Sequence, residues 1–97
     1  MISVHNIFVC KPGNASKLAK LFKEWADIRK GKNMFVLTDM SGQYHRVIIT
    51  ETHESLAAYE ESEKDMGQSR EEKAVMEKFK DMNEMYVSGS REFFKVW

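Results

Sequence analysis

Residues 34–52 read MFVLTDM, then SGQ, then YHRVIITET. The outer segments, Met34–Met40 and Tyr44–Thr52, are rich in the β-branched and aromatic residues that favour strands. The three residues between them, Ser41–Gln43, include a glycine and are few enough for a tight turn. This stretch therefore predicts a β-hairpin.

A strand and a helix precede the hairpin. Ile2–Cys10 has strand composition and stops at the turn residues Lys11–Asn14. Asn14 or Ser16 is placed to cap the following helix, and Gly31 is placed to end it. The apolar residues of this helix recur at three- and four-residue spacing and form one stripe: Leu18, Leu21, Phe22, Trp25 and Ile28.

A second helical region follows the hairpin. Ser55 is placed to cap it, and the helical pattern runs on to Val87. Gly67 interrupts the pattern, and Ser69–Glu72 has the Ser-x-x-Glu spacing of a capping box. We therefore predict a break or kink over Met66–Gln68 and a restart of the helix at Ser69.

The last strand completes the order of elements. Ser88–Ser90 is predicted to end the second helical region, and Arg91–Trp97 to form the final strand. The order is then βαββαβ. With right-handed crossovers it gives a ferredoxin-like α+β sandwich in a single domain, residues 1–97: a four-stranded antiparallel sheet with two helices on one face.

The predicted strands are apolar on both faces. Consecutive apolar residues occur at Ile7–Val9, Met34–Leu37, Val47–Ile49 and Phe93–Phe94. Strands of this kind need cover on both faces. The two helices cover one face, so we expect a second copy of the chain to cover the other. The sequence thus predicts a homodimer that packs sheet to sheet as a dimeric α+β barrel.

Composition excludes several classes of protein. The 97 residues carry 15 Lys+Arg against 15 Asp+Glu, and this zero net charge argues against a nucleic-acid partner bound by bulk charge. No apolar run approaches the ~20 residues of a membrane helix, and the N-terminus has no signal-peptide pattern. The one cysteine, Cys10, forms no internal disulfide. We therefore expect a cytoplasmic protein with no membrane partner.

Three segments carry a resemblance to a known family: His5–Val9, Glu54–Glu60 and Ser88–Trp97. Together with the element order, they make the whole chain resemble the dimeric α+β barrel superfamily, which includes antibiotic-biosynthesis monooxygenase-like and NIPSNAP-like proteins. These segments encode fold and none is specific to one reaction. The resemblance implies a pocket between sheet and helices, and it spans cofactor-free monooxygenases, haem-degrading enzymes and isomerases.

The resemblance also bears on cofactors. Haem-degrading members place an Asn on the first strand, an aromatic residue early in the second helix and a His further along it. This chain has Asn6 and Tyr59 at comparable places but no His within residues 54–97. Without that axial ligand the usual means of holding haem iron is missing. We therefore predict no cofactor.

Four residues form the candidate ligand pocket: Asn6, Trp25, Arg46 and Tyr59. Arg46 belongs to this pocket only if its face of the third strand points to the helices. That face carries Tyr44, Arg46, Thr50 and Thr52. Such a pocket would bind a small apolar or aromatic ligand. It would also suit a cofactor-free monooxygenase, which needs a dry chamber and polar groups that stabilise a substrate anion. The alternative is a non-catalytic dimeric module with a packed interior, so whether the protein is an enzyme stays open.

A metal site is the remaining candidate. The start of the first strand is expected beside the end of the third, which brings His5 towards Glu51 and His53. Two imidazoles and a carboxylate are a plausible ligand set. They also make an ordinary polar sheet end, and a shift of one residue in register moves a side chain to the other face. We prefer that interpretation and predict no metal.

Overall fold

Four strands and three helices make up the computed structural model, which describes residues 1–29, 33–41, 44–65 and 69–97. The strands are β1 (Ile2–Cys10), β2 (Phe35–Thr38), β3 (Arg46–His53) and β4 (Tyr86–Lys95). The helices are α1 (Ala15–Ile28), α2 (Leu56–Lys64) and α3 (Arg70–Lys78), the last continuing as a 3₁₀ segment, Phe79–Glu84. Antiparallel pairing gives one sheet in the order β2-β3-β1-β4. This is the predicted ferredoxin-like fold.

The register of the sheet defines its two faces. Val4 on β1 lies opposite Glu51 on β3 and Phe93 on β4. Val4 and Val47 are fully buried, and they pack on the same face as the helices. Because side chains alternate along a strand, the side that faces the helices, which we call the helix face, takes the even positions of β1 and the odd positions of β3 and, from Gly89 onward, of β4. The core lies between it and α1, around Leu18, which is also fully buried.

The other side of the sheet, the open face, is also apolar. It carries Ile7, Val9, Phe35, Leu37, Ile48 and Phe94. Phe35, Leu37 and Phe94 are 63%, 47% and 45% exposed. The described helices all pack against the opposite side, so no described part of the chain covers this surface. None of those helices is long and apolar enough to cross a membrane.

Strand β1 agrees with the prediction from Ile2 to Cys10, and β2 and β3 agree to within two residues at each end. Helix α1 begins after Asn14, one of the two predicted caps, although the Asn14 side chain makes no capping hydrogen bond. Its predicted end, Gly31, and residues 42–43 of the hairpin turn lie outside the described residues.

The second helical region differs from the prediction. Two separate helices are capped by Ser55 and Ser69, whose Oγ atoms accept from the N–H groups of Ala58 (3.1 Å) and Glu72 (3.0 Å). Both predicted helix starts are confirmed, whereas the predicted break, Met66–Gln68, lies outside the described residues. The prediction that the helix continues to Val87 is wrong. The carbonyl of Met85 accepts from Lys11 N–H at 2.9 Å, and this bond draws the chain onto the end of β1.

The final strand begins earlier than predicted, at Tyr86 instead of Arg91. The segment Ser88–Ser90 continues the strand, and it pairs with Ile7–Val9 of β1. A Cβ at Gly89 would lie 3.3 Å from Cδ1 of the Phe8 ring, so a larger residue there would require the ring to shift by a few tenths of an ångström. The Ser-Gly-Ser segment is therefore a site of close packing within the sheet and does not end a helix.

Candidate ligand-binding cavity

A cavity of about 270 Å³ lies between the helix face of the sheet and the helices. We call it the sheet–helix cavity. Alternate residues of the strands and successive turns of α1 supply its walls, because these positions point to the same side. Its lining is mainly apolar, with polar groups at Asn6, Glu51, Glu63 and Arg91 and the remainder supplied by Phe8, Phe22, Trp25, Ile49, Met76, Phe79 and Met82.

Asn6 and Arg91 are paired on neighbouring strands. They face each other in the register of β1 and β4, and Arg91 Nε donates to Asn6 Oδ1 at 2.6 Å. The terminal nitrogens of Arg91 have no hydrogen-bond partner among the described residues. The guanidinium is therefore anchored through Nε, and its remaining N–H groups are available as donors beside the cavity.

Glu51 and His53, both on β3, form a second polar group on the helix face. Both side chains are buried, and His53 Nε2 lies 3.2 Å from Glu51 Oε1. The alignment of the two groups falls short of a hydrogen bond, since the same nitrogen has no hydrogen-bond partner in the described structure. A carboxylate and an imidazole are thus placed side by side out of water, with Glu51 at the cavity wall.

Tyr59 adjoins the cavity without lining it. Its ring makes edge contacts with the rings of His53 (5.3 Å) and Phe93 (5.4 Å). Its hydroxyl is buried and makes no hydrogen bond of good geometry to the described residues. Burial, and next the nearby carboxylate of Glu63, raise the pKa of Tyr59 to about 12. The phenol is therefore neutral at physiological pH.

The structure brings Asn6 and Trp25 together in the cavity wall, with Tyr59 next to it. Arg46 lies elsewhere. It faces Val9 in the register of the sheet, and its Nε donates to Asp39 Oδ1 at 3.1 Å. The condition on which it was predicted fails, because Val47, Ile49 and Glu51 occupy the helix face of β3. Arg46 instead lines a separate hollow of about 300 Å³ near the start of α1.

His5 does not join Glu51 and His53. It occupies the open face, where its Nε2 lies 3.1 Å from Ser3 Oγ and its ring 4.7 Å from that of Phe94. The odd position of His5 on β1 places it across the sheet from Glu51. Within the described ranges, no group of three or more His, Cys, Asp or Glu side chains is arranged to hold a metal ion.

A buried ion pair between Arg29 and Glu72, which the sequence does not predict, lies next to the cavity wall at Trp25. Glu72 Oε1 accepts from Trp25 Nε1 (2.9 Å) and from Arg29 Nη1 (2.7 Å). The second guanidinium nitrogen of Arg29 donates to the Oγ (2.8 Å) and the carbonyl (3.2 Å) of Ser62. Glu72 was interpreted only as the acidic member of a capping box, and it does supply the N–H that Ser69 accepts. Nothing local in the sequence indicates that its carboxylate turns towards α1.

Comparison with known proteins supports the fold. No protein-family model matches this sequence, and neither does any curated protein. Among solved structures, a NIPSNAP domain protein from Burkholderia xenovorans is 10% identical, with a TM-score of 0.77 over 100% of this chain and 95% of its own. A NIPSNAP family protein from Agrobacterium tumefaciens is 15% identical, with a TM-score of 0.76 over 99% and 92%. This chain has the NIPSNAP-like fold.

A candidate antibiotic biosynthesis monooxygenase from Deinococcus radiodurans has the same architecture. It is 17% identical to this chain, with a TM-score of 0.67 over 100% of this chain and 93% of its own. The predicted resemblance to NIPSNAP-like and antibiotic-biosynthesis monooxygenase-like proteins is thus confirmed for the fold. Identities of 10–17% support no transfer of activity, because one fold serves many functions.

Proposed function

We propose that this NIPSNAP-like protein binds a small apolar or aromatic molecule in the sheet–helix cavity. The observation that carries the proposal is the composition of the wall: seven apolar or aromatic side chains, with four polar residues as the rest. Ligand sites commonly combine an apolar chamber with a few polar groups that orient the ligand. A volume of about 270 Å³ suits a molecule of one or two rings.

The polar residues favour a ligand that carries a hydrogen-bonding group. Arg91, anchored on Asn6, offers N–H donors, while Glu51 and Glu63 offer carboxylate acceptors. A hydroxyl or carbonyl attached to an aromatic ring matches both kinds of partner. If the protein is an enzyme, the same donors would stabilise a substrate anion of the kind that a cofactor-free oxygenation passes through.

We also propose that two copies of the chain associate through the open face. Phe35 and Leu37 on β2 and Phe94 on β4 are exposed apolar side chains at the two edges of this face, with Ile7 and Ile48 on the strands between them. Monomeric proteins rarely leave a large apolar surface uncovered. Ile7 and Ile48 form an apolar centre of this face, and the polar residues His5 and Thr50 lie in the next row. A second copy presents the same apolar centre, so the two centres can pack on each other. Association of two such faces forms the dimeric barrel that the sequence predicts.

Native mass spectrometry of the purified protein, followed by titration with 1-anilinonaphthalene-8-sulfonate, tests both proposals. We expect a dimer and saturable probe binding. Met82→Trp, which places a larger side chain in the cavity wall, is expected to weaken probe binding about tenfold, or ~1.4 kcal/mol. Met85→Trp is the matched control, because Met85 is a half-buried methionine of the same segment outside the lining.

Three outcomes would count against these proposals. Equal probe affinity in both methionine variants would place the probe outside the cavity, and no binding by the parent protein would favour the alternative of a packed, non-catalytic module. A monomer at micromolar concentration would contradict the association through the open face. The two results are independent, since assembly is read from the mass and binding from the titration.

We further propose that the protein is cytoplasmic. Cys10 is a free, buried thiol at the end of β1, and burial raises its pKa. A protein with one unpaired cysteine suits a reducing compartment, where thiols stay reduced. Fractionation of cells that express a tagged chain tests this location, and recovery in the secreted or membrane fraction would contradict it.

A further inference from the structure

Four residues from three helices form one connected network behind the sheet–helix cavity. Trp25 and Arg29 come from α1 and the residue that caps its C-terminal end, Ser62 from α2, and Glu72 from α3. The Arg29 and Glu72 side chains are 8% and 6% exposed, and their shortest contact is 2.7 Å. We call these four residues the Arg29–Glu72 network.

The network joins the two short helices on either side of the predicted break. Arg29 donates to the carbonyl of Ser62 in the last turn of α2, and this carbonyl also accepts from the N–H of Asp65 at 3.2 Å. Arg29 also binds Glu72 in the first turn of α3, where a carboxylate is favoured by the helix dipole. One guanidinium therefore holds the end of α2 and the start of α3 against α1.

Trp25 connects this network to the cavity. Its indole forms part of the wall, and its Nε1–H donates to the Glu72 carboxylate at 2.9 Å. The Arg29 guanidinium lies 5.8 Å from the centre of the same ring. A buried indole has one polar atom, so a single acceptor at a fixed place determines which way the ring is turned.

We propose that Glu72 and Arg29 are positioning residues of the ligand site: they hold the Trp25 indole in the orientation that shapes the wall. The inference rests on the proposed function of the sheet–helix cavity, which neither residue lines. Glu72 acts through its hydrogen bond to the indole. Arg29 acts by holding the Glu72 carboxylate, whose place is also set by the cap that Ser69 forms with the Glu72 N–H.

The chain offers a matched control for this role. Lys78 Nζ donates to Glu24 Oε2 at 3.0 Å, and this pair bridges the same two helices, α1 and α3. Its side chains are 55% and 48% exposed, and the hydrogen bond of the Trp25 indole goes to Glu72 and not to this pair. Loss of this second bridge removes an ion pair between α1 and α3 and leaves the hydrogen bond between Trp25 and Glu72 in place.

The experiment uses the Trp97→Phe protein, in which Trp25 is the only tryptophan. Glu72→Leu, Glu72→Gln and Lys78→Gln are compared by Trp25 emission, acrylamide quenching and affinity for 1-anilinonaphthalene-8-sulfonate. We expect Glu72→Leu to increase quenching and to weaken probe binding about tenfold, the scale of one hydrogen bond to a charged group. Glu72→Gln keeps an oxygen acceptor, so most of the affinity should return. Lys78→Gln should match the parent in all three measurements.

A purely structural role for Glu72 gives a different result. Folded Glu72→Leu would then melt earlier but keep the emission, quenching and probe affinity of the parent, and this outcome overturns the proposal. Equal effects of Lys78→Gln and Glu72→Leu on probe affinity would also overturn it. If the parent binds no probe, the proposed function fails, yet the quenching of Trp25 still decides whether Glu72 holds the indole.

A second comparison serves if Glu72→Leu does not fold. Trp25→Phe keeps a ring in the wall but removes the N–H donor, and it leaves Glu72 paired with Arg29. We expect Trp25→Phe to weaken probe binding by itself, and Glu72→Gln to have no further effect on affinity in that background, because both changes act on one hydrogen bond. Independent, multiplying effects would contradict the proposed positioning.

Discussion

The two faces of the sheet are built from neighbouring residues of the same strands, yet they have different surroundings. On β3, Val47 and Ile49 are buried beneath the helices, whereas Ile48 between them lies on the open face. On β2, Val36 packs against the core while Phe35 and Leu37 are exposed. The apolar character of a strand residue alone therefore does not show whether that residue lies beneath the helices or on the open face.

The difference between the faces lies in their polar residues. The helix face carries Glu51 and Asn6 beside a cavity, where each meets a partner, His53 or Arg91. The open face has the apolar pair Ile7 and Ile48 near its centre, and its hydroxyl residues are spread along the strands, from Ser3 at one end to Ser90 beside Ile7. The first face lines a cavity, whereas the second is left uncovered by the described helices and is the surface that we propose for association.

The largest effect is expected from truncation on the helix face. Leu18→Ala should lower the free energy of unfolding by about 3 kcal/mol, because Leu18 is fully buried and its loss leaves a cavity in the core. Leu37→Ala on the open face is the matched change, and in the isolated chain it should cost less than about 1 kcal/mol. Urea denaturation at two protein concentrations separates the chain's own stability from that of the dimer. Equal losses at low concentration would contradict the contrast between the faces.

A charge on the open face is expected to have the next largest effect. Ile48→Lys should weaken dimer association about a hundredfold, since it places an unpaired cation in the centre of an apolar contact. Sedimentation velocity measures the change. Leu56→Lys, at an exposed position of α2, is the control and should leave the dimer intact. A dimer that survives Ile48→Lys would show that association uses another surface.

Tyr59 provides a pH-dependent test of the helix face. Its pKa in the folded protein, about 12, lies above the ordinary value of 10, so the folded state holds the phenolic proton more tightly. This contribution to stability is complete below pH 10 and is lost as the pH rises towards 12. We expect the unfolding free energy of the parent to fall more steeply across that window than that of Tyr59→Phe. Parallel curves would show that Tyr59 titrates alike in both states.

The smallest effect is expected at the solvent side of α1. Lys23 Nζ lies 2.9 Å from Asp27 Oδ1, and the side chains are 68% and 61% exposed. Asp27→Asn should change the free energy of unfolding by about 0.5 kcal/mol or less, because water screens such pairs. Thermal melting at low and high salt is the measurement. A loss as large as that of Leu18→Ala would mean that this surface is covered in the folded protein.

Much of the fold could be predicted from local signals. Strand composition located β1 from Ile2 to Cys10, and the apolar stripe of α1 identified Leu18, Phe22 and Trp25, which are all buried. The start of β4 could not be predicted in this way. Ser88–Ser90 has the composition of a loop, and its pairing with β1 is a long-range contact that no window of sequence contains.

The candidate site was predictable only in part, for the same reason. Asn6 and Trp25 line the cavity, whereas Arg46 faces the other side, because the register of β3 decides which face a residue takes. Arg91 enters the site through its pairing with β1, and Glu72 through packing of α3 on α1. Both residues depend on tertiary contacts that the sequence analysis had no means to locate.

The two short helices have a consequence for the order of folding. α2 and α3 have nine residues each, fewer than the ~12–15 at which an isolated helix becomes even marginally stable in water. The bonds of Arg29 to Ser62 and Glu72 close chain separations of 33 and 43 residues. We therefore expect these helices to form late, after α1 has docked, and to open first in the native state. Met76, a wall residue of α3, is then expected to move in local unfolding events, which would open the cavity to the proposed ligand while the sheet stays intact.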